Sequence, residues 1–279
     1  MIWVSDYRLV PRAPLSALAG ASPRRGALIR VGSGFADVHP WPELGDEPLE
    51  VQLTMLARGK TTPLTARSLA IARLDGEARE AGRSLFDGLT IPESHWPGSH
   101  PPPEFSMAKI KAGAALPDRV RLRIDYNAML TADEFLALAP SLPRERIDFV
   151  EDPCPYDGPT WRMLRQRTGL RLALDRRVAT EGVDVLVIKP AIQDVDSFIP
   201  HPSSFILTSY MDHPIGQLGA AYIAATHDVG VCGLITHVLF EPNAFSERLR
   251  IDGMRLVPPG GTGIGFDDLL QKLPWRSLR

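Results

Sequence analysis

The stretch FSMAKIKAGAALPDRVRLRIDYN, residues 105–127, contains two short runs in which polar and apolar residues alternate. Side chains along a strand point to opposite faces in turn. Met107, Lys109 and Lys111 therefore share one face, and Ala108 and Ile110 the other. In the second run Asp125 shares its face with Arg123, opposed by Leu122 and Ile124. The same form recurs downstream, where RIDFVED carries Glu151, LRLALD ends at Asp175 and DVLVIKP carries Lys189. SSFILTSY and VCGLIT follow as further short strands.

Helix-like segments at Thr131–Ala139, Thr160–Thr168 and Pro214–His227 separate several of these runs. Alternation of this kind predicts an α/β fold with a parallel sheet, and seven or eight strands favour a closed β/α barrel. The connection from Asp175 to Lys189 is too brief for a usual helical crossover, as is the Pro-rich path from Ile91 to Phe105. The expectation is a modified barrel with one or two outer helices missing. Residues 1–92 read as an α+β capping domain with short elements at Leu28–Val31 and Glu50–Leu56 and an amphipathic helix at Leu64–Gly82. Residues 93–250 form the barrel, and the 251–279 segment is expected to pack back on the capping domain.

Only five of the 31 basic residues are Lys, and three of the five are Lys109, Lys111 and Lys189. An ammonium can be tuned to release a proton near neutral pH, and a guanidinium cannot. If each strand points its ionisable end inward, Lys109, Lys111, Asp125, Glu151, Asp175 and Lys189 gather at the C-terminal rim, where barrel active sites are built. Three carboxylates in one pocket require a cation, and all-oxygen ligation fits Mg²⁺, with Mn²⁺ as a substitute. The lysine pair, facing that cation and a third lysine, is expected to have depressed pKa values and so to serve as a base. These parts specify abstraction of the proton α to a carboxylate, with the enediolate held by Mg²⁺.

Composition narrows the partners. A formal charge of −2 and 44% hydrophobic residues describe an ordinary globular protein, and the α-proton chemistry above makes a small-molecule carboxylate the expected substrate. The charge gives no electrostatic reason to expect nucleic acid or a membrane. MIWVSDYRLVPRAP lacks a basic and then apolar leader, so the expected location is cytoplasmic. The chain is compatible with a monomer or a homo-oligomer. Cys154 and Cys232 read as reduced thiols. PGGTGIG, residues 259–265, lacks the ending of a phosphate loop and reads as a glycine turn. His213, before Pro214, reads as a helix cap or surface residue.

AKIKAG, LRIDYN, FVEDPCP, LALD and VIKP together resemble the KxK, Asp, Glu, Asp, Lys series of the enolase superfamily. The resemblance covers about residues 105–190. Within it, the Arg two residues before the first Asp, the EDPCP run and GFADVHPWPELGD are similar to the o-succinylbenzoate synthase family of menaquinone biosynthesis. That resemblance implies a hydro-lyase in which Asp125, Glu151 and Asp175 hold the metal. Lys111 then acts as base and acid, Lys189 stabilises the enediolate, and Lys109 tunes Lys111. Arg123 is expected to pair a carboxylate inside the barrel, ahead of touching substrate. Arg24 and Arg25 are candidate lid residues for a substrate carboxylate, and Ser209 and Thr236 candidates to face the succinyl group. One departure is Arg176-Arg177 after Asp175, where relatives often carry an acidic residue. The same six groups would also serve an N-acylamino acid or dipeptide racemase, with Lys189 as a second base. An inactive barrel acting as a binding protein is the third reading, opposed by the cost of unused buried charges.

Overall fold

The computed structural model describes residues 1–15, 19–199 and 204–279. The chain opens with β1 (Ile2–Leu9), β2 (Arg24–Val31) and β3 (Gly34–Val38), then α1 (Leu49–Ala57) and α2 (Pro63–Glu80). β1, β2 and β3 form an antiparallel sheet in the register Ile2↔Val31 and Ala27↔Val38. Thr62 starts α2 with a capping box, its hydroxyl accepting from Thr65 N. Gly34 lets α2 lie against β3, since a Cβ there would run into the carbonyl of Ala72. Residues 50–56 are helix, while Arg24 and Arg25 begin a strand.

The second sheet takes β4 (Trp96–Pro97), β5 (Met107–Lys111), β6 (Arg121–Asp125), α3 (Ala132–Leu138), β7 (Ile147–Glu151) and α4 (Gly158–Thr168) in turn. β8 (Leu172–Asp175), β9 (Val185–Ile188), β10 (Ser204–Leu207) and α5 (Pro214–Ala225) complete it. Its seven strands run parallel in chain order from β4 to β10. VCGLIT is not a regular strand, yet it closes the ring. Cys232 bridges to Ser94 on one side and Gly233 to Thr208 on the other. The first residue of SSFILTSY, 203, lies outside the described residues.

Two buried clusters verify the alternation of faces. Phe149, Ala173, Val185, Val187 and Ile206 pack together inside the ring. Leu122, Ile124, Val150, Leu172, Leu174, Leu186 and Ile188 belong to the larger core, which also takes Phe135, Trp161, Leu164 and Leu218 from the helices. Glu151, Asp175 and Lys189 have the same parity as the inner set.

The helical layer is thinner than the one or two absences expected. No helix occurs in residues 98–106, 112–120 or 176–184, and β9 reaches β10 with only a short 3₁₀ turn, Val195–Phe198, among the described residues. The first three of these connections, at 98–106, 112–120 and 176–184, are shorter than a helical crossover needs. Where helices do form they are capped: Thr131 and Glu134 make a capping box, Asp157 caps α4, and buried His213 accepts from Ile215 N at 3.2 Å to cap α5.

After the barrel come β11 (Arg250–Asp252), β12 (Arg255–Val257), α6 (Asp267–Leu270) and β13 (Arg276–Ser277). β13 pairs with β1 and returns the chain to the first sheet. Residues 259–265 form a turn whose amides are claimed by carboxylates: Thr262 N donates to Asp267 at 2.9 Å and Ile264 N to Asp75 at 2.5 Å.

Candidate active site

A cavity of about 430 Å³ opens at the C-terminal ends of the barrel strands, lined by Lys109, Lys111, Asp125, Glu151, Asp175 and Lys189 together. In the ring, β5 with its two lysines lies across from β9, whose end carries Lys189. Lys109 Nζ donates to Glu151 Oε1 at 2.6 Å and lies 3.2 Å from Asp125. Lys111 Nζ donates to Asp125 Oδ2 at 2.6 Å and to Asn127 Oδ1 at 3.2 Å. Lys189 Nζ donates to Thr208 Oγ1 at 2.7 Å and sits 3.2 Å from Asp175 Oδ1. Of the KxK pair Lys111 is the more open, with 40% of its side chain exposed against 16% for Lys109.

The charges are not balanced locally. Burial pushes Glu151 up to about 7, against the pull of Lys109 and with help from Asp125 and Asp175. Asp152 is also driven well above the usual carboxylate range, first by burial and then by Asp175 and Glu151. Burial opposes ionisation of Asp125 too, but Lys109 and Lys111 hold it well below that range. Lys109 corrects an expectation: burial lowers its ammonium pKa, yet Asp125, Glu151 and Asp175 overrule burial and raise it. Its nearest charges are anions, and lysine repulsion is not what governs it.

Glu151, Asp152 and Asp175 each offer an oxygen within 4.8 Å of the others, a spacing that suits a metal ion. Glu151 Oε2 and Asp175 Oδ1 are buried without a hydrogen-bond partner. Asp175 Oδ1 is within ion-pair reach of Lys189 but lacks hydrogen-bond geometry, so its coordination is incomplete. Orphaned carboxylate oxygens in an all-oxygen set fit a hard divalent cation such as Mg²⁺. Asp125 is turned to the lysines and lies outside this group. Asp152, visible in the EDPCP run, was missed as a ligand candidate because strand alternation sends it away from Glu151. Its left-handed φ of 43° breaks that alternation, and Asp is among the residues that tolerate it.

The outer candidates divide. Ser209 and Thr236 line the cavity and hydrogen-bond each other at 2.7 Å. Arg123 does not line it: the side chain is braced by Asp148 at 2.8 Å, His95 Nδ1 at 2.9 Å and Val231 O at 2.9 Å. Its expected pairing with a carboxylate inside the barrel thus has a partner, Asp148. Arg24 and Arg25 are not lid residues. They start β2, where Arg24 pairs with Glu43 at 2.6 Å and stacks over Trp41, and exposed Arg25 pairs with Glu50 at 2.7 Å. Residues 16–18, upstream of β2, lie outside the described residues.

A closed ring of parallel strands with lysines facing each other across a carboxylate cluster, capped by an antiparallel sheet, defines an enolase-superfamily protein. A dipeptide epimerase from Cytophaga hutchinsonii, solved with Mg and the dipeptide D-Ala-L-Val, has the same fold. Its TM-score is 0.76 at 14% identity, over 100% of this chain and 99% of that one. Within the class, the family model described as O-succinylbenzoate synthase, N-terminal domain, matches residues 2–78. An o-succinylbenzoate synthase from Bdellovibrio bacteriovorus is 33% identical, covering 99% of this chain and 98% of the relative. Another from Klebsiella pneumoniae is 27% identical over 72% of this chain and 79% of its own length. The chain belongs to the o-succinylbenzoate synthase family. No helix among the described residues is long and apolar enough to cross a membrane.

Proposed function

We propose that the protein is an o-succinylbenzoate synthase that dehydrates 2-succinyl-6-hydroxy-2,4-cyclohexadiene-1-carboxylate in a Mg²⁺-dependent reaction, as a step of menaquinone biosynthesis. The observation that carries this reading is the 33% identity with an o-succinylbenzoate synthase over 99% of this chain, and the cavity that brings Lys111 and Lys189 together with a carboxylate cluster bearing unsatisfied oxygens supplies the chemistry it needs. Glu151 and Asp175, with Asp152 beside them, would hold the ion, joined by Asp125 if its carboxylate turned from the lysines, and the ion would stabilise the negative charge that develops on the substrate carboxylate as the α-proton leaves.

Lys111 removes the proton α to that carboxylate, and the C–H electron pair is delocalised into the carboxylate as an enediolate. The pair returns to form the new ring double bond as the C–O bond on the neighbouring carbon breaks, Lys111 gives its proton to the departing hydroxide, and water leaves an aromatic product. Lys111 suits this work because it is the exposed member of the pair, with Asp125 and Asn127 positioning its ammonium at the cavity wall. Lys189, fixed by Thr208 at 2.7 Å, places a fixed positive charge where negative charge develops. Lys109 stays an ammonium tied to Glu151 and keeps Lys111 beside a like charge.

A spectrophotometric dehydration assay on purified protein, with Mg²⁺ and with chelator, tests the reading. Substrate loss that requires Mg²⁺ is the expected result. A protein that leaves the substrate intact but exchanges the α-proton of both enantiomers of an N-succinyl amino acid with solvent deuterium is a racemase instead.

A further inference from the structure

The Arg that follows Asp175 has an unusual setting. Arg176 occupies the left-handed region at φ 62°, which a side chain of this size uncommonly adopts. It lines the same cavity as the lysines. Its guanidinium carbon lies 5.2 Å over the Tyr210 ring, and Nη2 reaches Asp46 Oδ1 only at 3.4 Å. A charge-assisted bond closes to 2.7–2.9 Å in good geometry. Asp46 is occupied elsewhere, since its Oδ2 accepts from Trp41 N and Tyr210 Oη, each at 2.8 Å. Nη1 of Arg176 is buried with no partner.

A second guanidinium lines the cavity from the N-terminal segment. Arg12 is exposed, donates Nε to Phe240 O at 2.9 Å, and has no carboxylate partner among the described residues. Leu15, Leu44, Met211 and Leu239 complete the lining beside these two cations. An apolar wall bearing guanidiniums whose donors are not used up suits a carbon chain that ends in an anion.

We propose that Arg176, with Arg12, binds the second carboxylate of a dicarboxylate substrate, the one remote from the reacting carbon. The proposal rests on the dehydration reading, whose substrate carries two carboxylates. It makes the end of β8 a determinant of specificity for a carboxyl-ended acyl chain over a neutral or cationic one. Structure offers a rival role for Arg176, that of tying Asp46 to the barrel, and the two roles separate by ligand.

The test measures calorimetric affinities of the full chain, with saturating Mg²⁺, for o-succinylbenzoate and for 2-butanoylbenzoate, in which a methyl replaces the remote carboxylate. Wild type is expected to favour the dianion by about 10- to 100-fold, the range of a hydrogen bond to a charged group. Arg176→Met should remove most of that gap by weakening the dianion alone, with KM for the substrate raised and kcat nearly kept. Arg176→Lys should restore part of it, and Arg12→Met, at an exposed position, should narrow the gap without affecting folding. If Arg176→Met does not fold, the Lys and Arg12 variants carry the test. A gap unchanged in the folded variants, or equal loss for both ligands, overturns the proposal while wild-type dehydration leaves the function standing. A wild type that neither dehydrates nor binds o-succinylbenzoate brings down both.

Discussion

Two clusters of charge in this molecule, one built around an arginine and one around lysines, end in opposite states of hydrogen bonding. Where α2 meets the C-terminal segment, Asp75 is fully buried, yet both of its oxygens are used. Oδ2 accepts from Phe35 N and Arg79 Nε, each at 2.7 Å, and Oδ1 accepts from Ile264 N at 2.5 Å. Arg79 also donates to Asp267 and, at 2.9 Å, to Gly265 O. At the barrel rim, by contrast, Glu151 Oε2 and Asp175 Oδ1 have no hydrogen-bond partner; burial raises Asp75 and Glu151 alike, so the difference lies in hydrogen bonding. Unmet electrostatic demand costs stability unless something outside the chain meets it. The saturated cluster therefore holds the fold, and the unsaturated one is a place to put a ligand.

The largest effect that could break this contrast is on rate. Lys111→Ala should lower kcat by about 10²- to 10⁴-fold, the span of a general acid–base group, while the melting temperature stays close to wild type because Lys111 is 40% exposed. Near-normal turnover in that variant would move the base elsewhere. Asp75→Ala should do the reverse. It leaves Arg79 short of one partner and two amides bare, at a cost of roughly 3 to 5 kcal/mol, read by chemical denaturation. Activity per folded molecule should survive. If the two substitutions have the same profile, saturation does not distinguish structure from site.

The next effect is smaller and concerns the cation. Mg²⁺ binds only the folded site, so at one hundred times its Kd it should add about 2.7 kcal/mol to wild-type stability. In Glu151→Gln the gain should shrink to about 0.4 kcal/mol at the same concentration, roughly a hundredfold loss in affinity. The same titration on Asp75→Ala should show the full increment. Equal stabilisation of wild type and Glu151→Gln by Mg²⁺ would sink the placement of the ion.

How far the sequence anticipates this follows from periodicity. Glu151, Asp175 and Lys189 were legible because each continues an inward parity that a strand enforces, and the inner cluster of Phe149, Ala173, Val185, Val187 and Ile206 has the parity that places them there. Asp152 was not, because a left-handed residue at the strand end suspends the rule. Arg24 and Arg25 were misplaced for another reason. In ASPRRGA the Pro and Gly suggest a loop, but β1 supplies a partner in register, Leu9↔Arg24 and Arg8↔Arg25, that no local signal reports. The raised Lys109 pKa was illegible likewise, since it depends on which of two neighbours, lysine or carboxylate, the side chain meets in three dimensions.

A third, neutral network behind the cavity gives the smallest prediction. Gln217 Oε1 accepts from His237 N at 2.7 Å and Thr236 Oγ1 at 3.3 Å, and its Nε2 lies 3.0 Å from His237 Nδ1. Burial lowers His237 to about 4, against about 6.5 in an unfolded chain. Between those values the unfolded chain binds the extra proton, so this group's contribution is whole above pH 6.5 and declines as pH falls toward 4. His237→Gln removes the titration. The stability difference between wild type and His237→Gln should therefore shift by about 1 to 3 kcal/mol against wild type from pH 7 to pH 4. Denaturation at several pH values measures it, and a difference independent of pH would show that the ring is hydrated in the folded protein. Because Gln217 also holds Thr236 at the cavity wall, the same variant should affect the rim only through Thr236, leaving the Mg²⁺ increment intact.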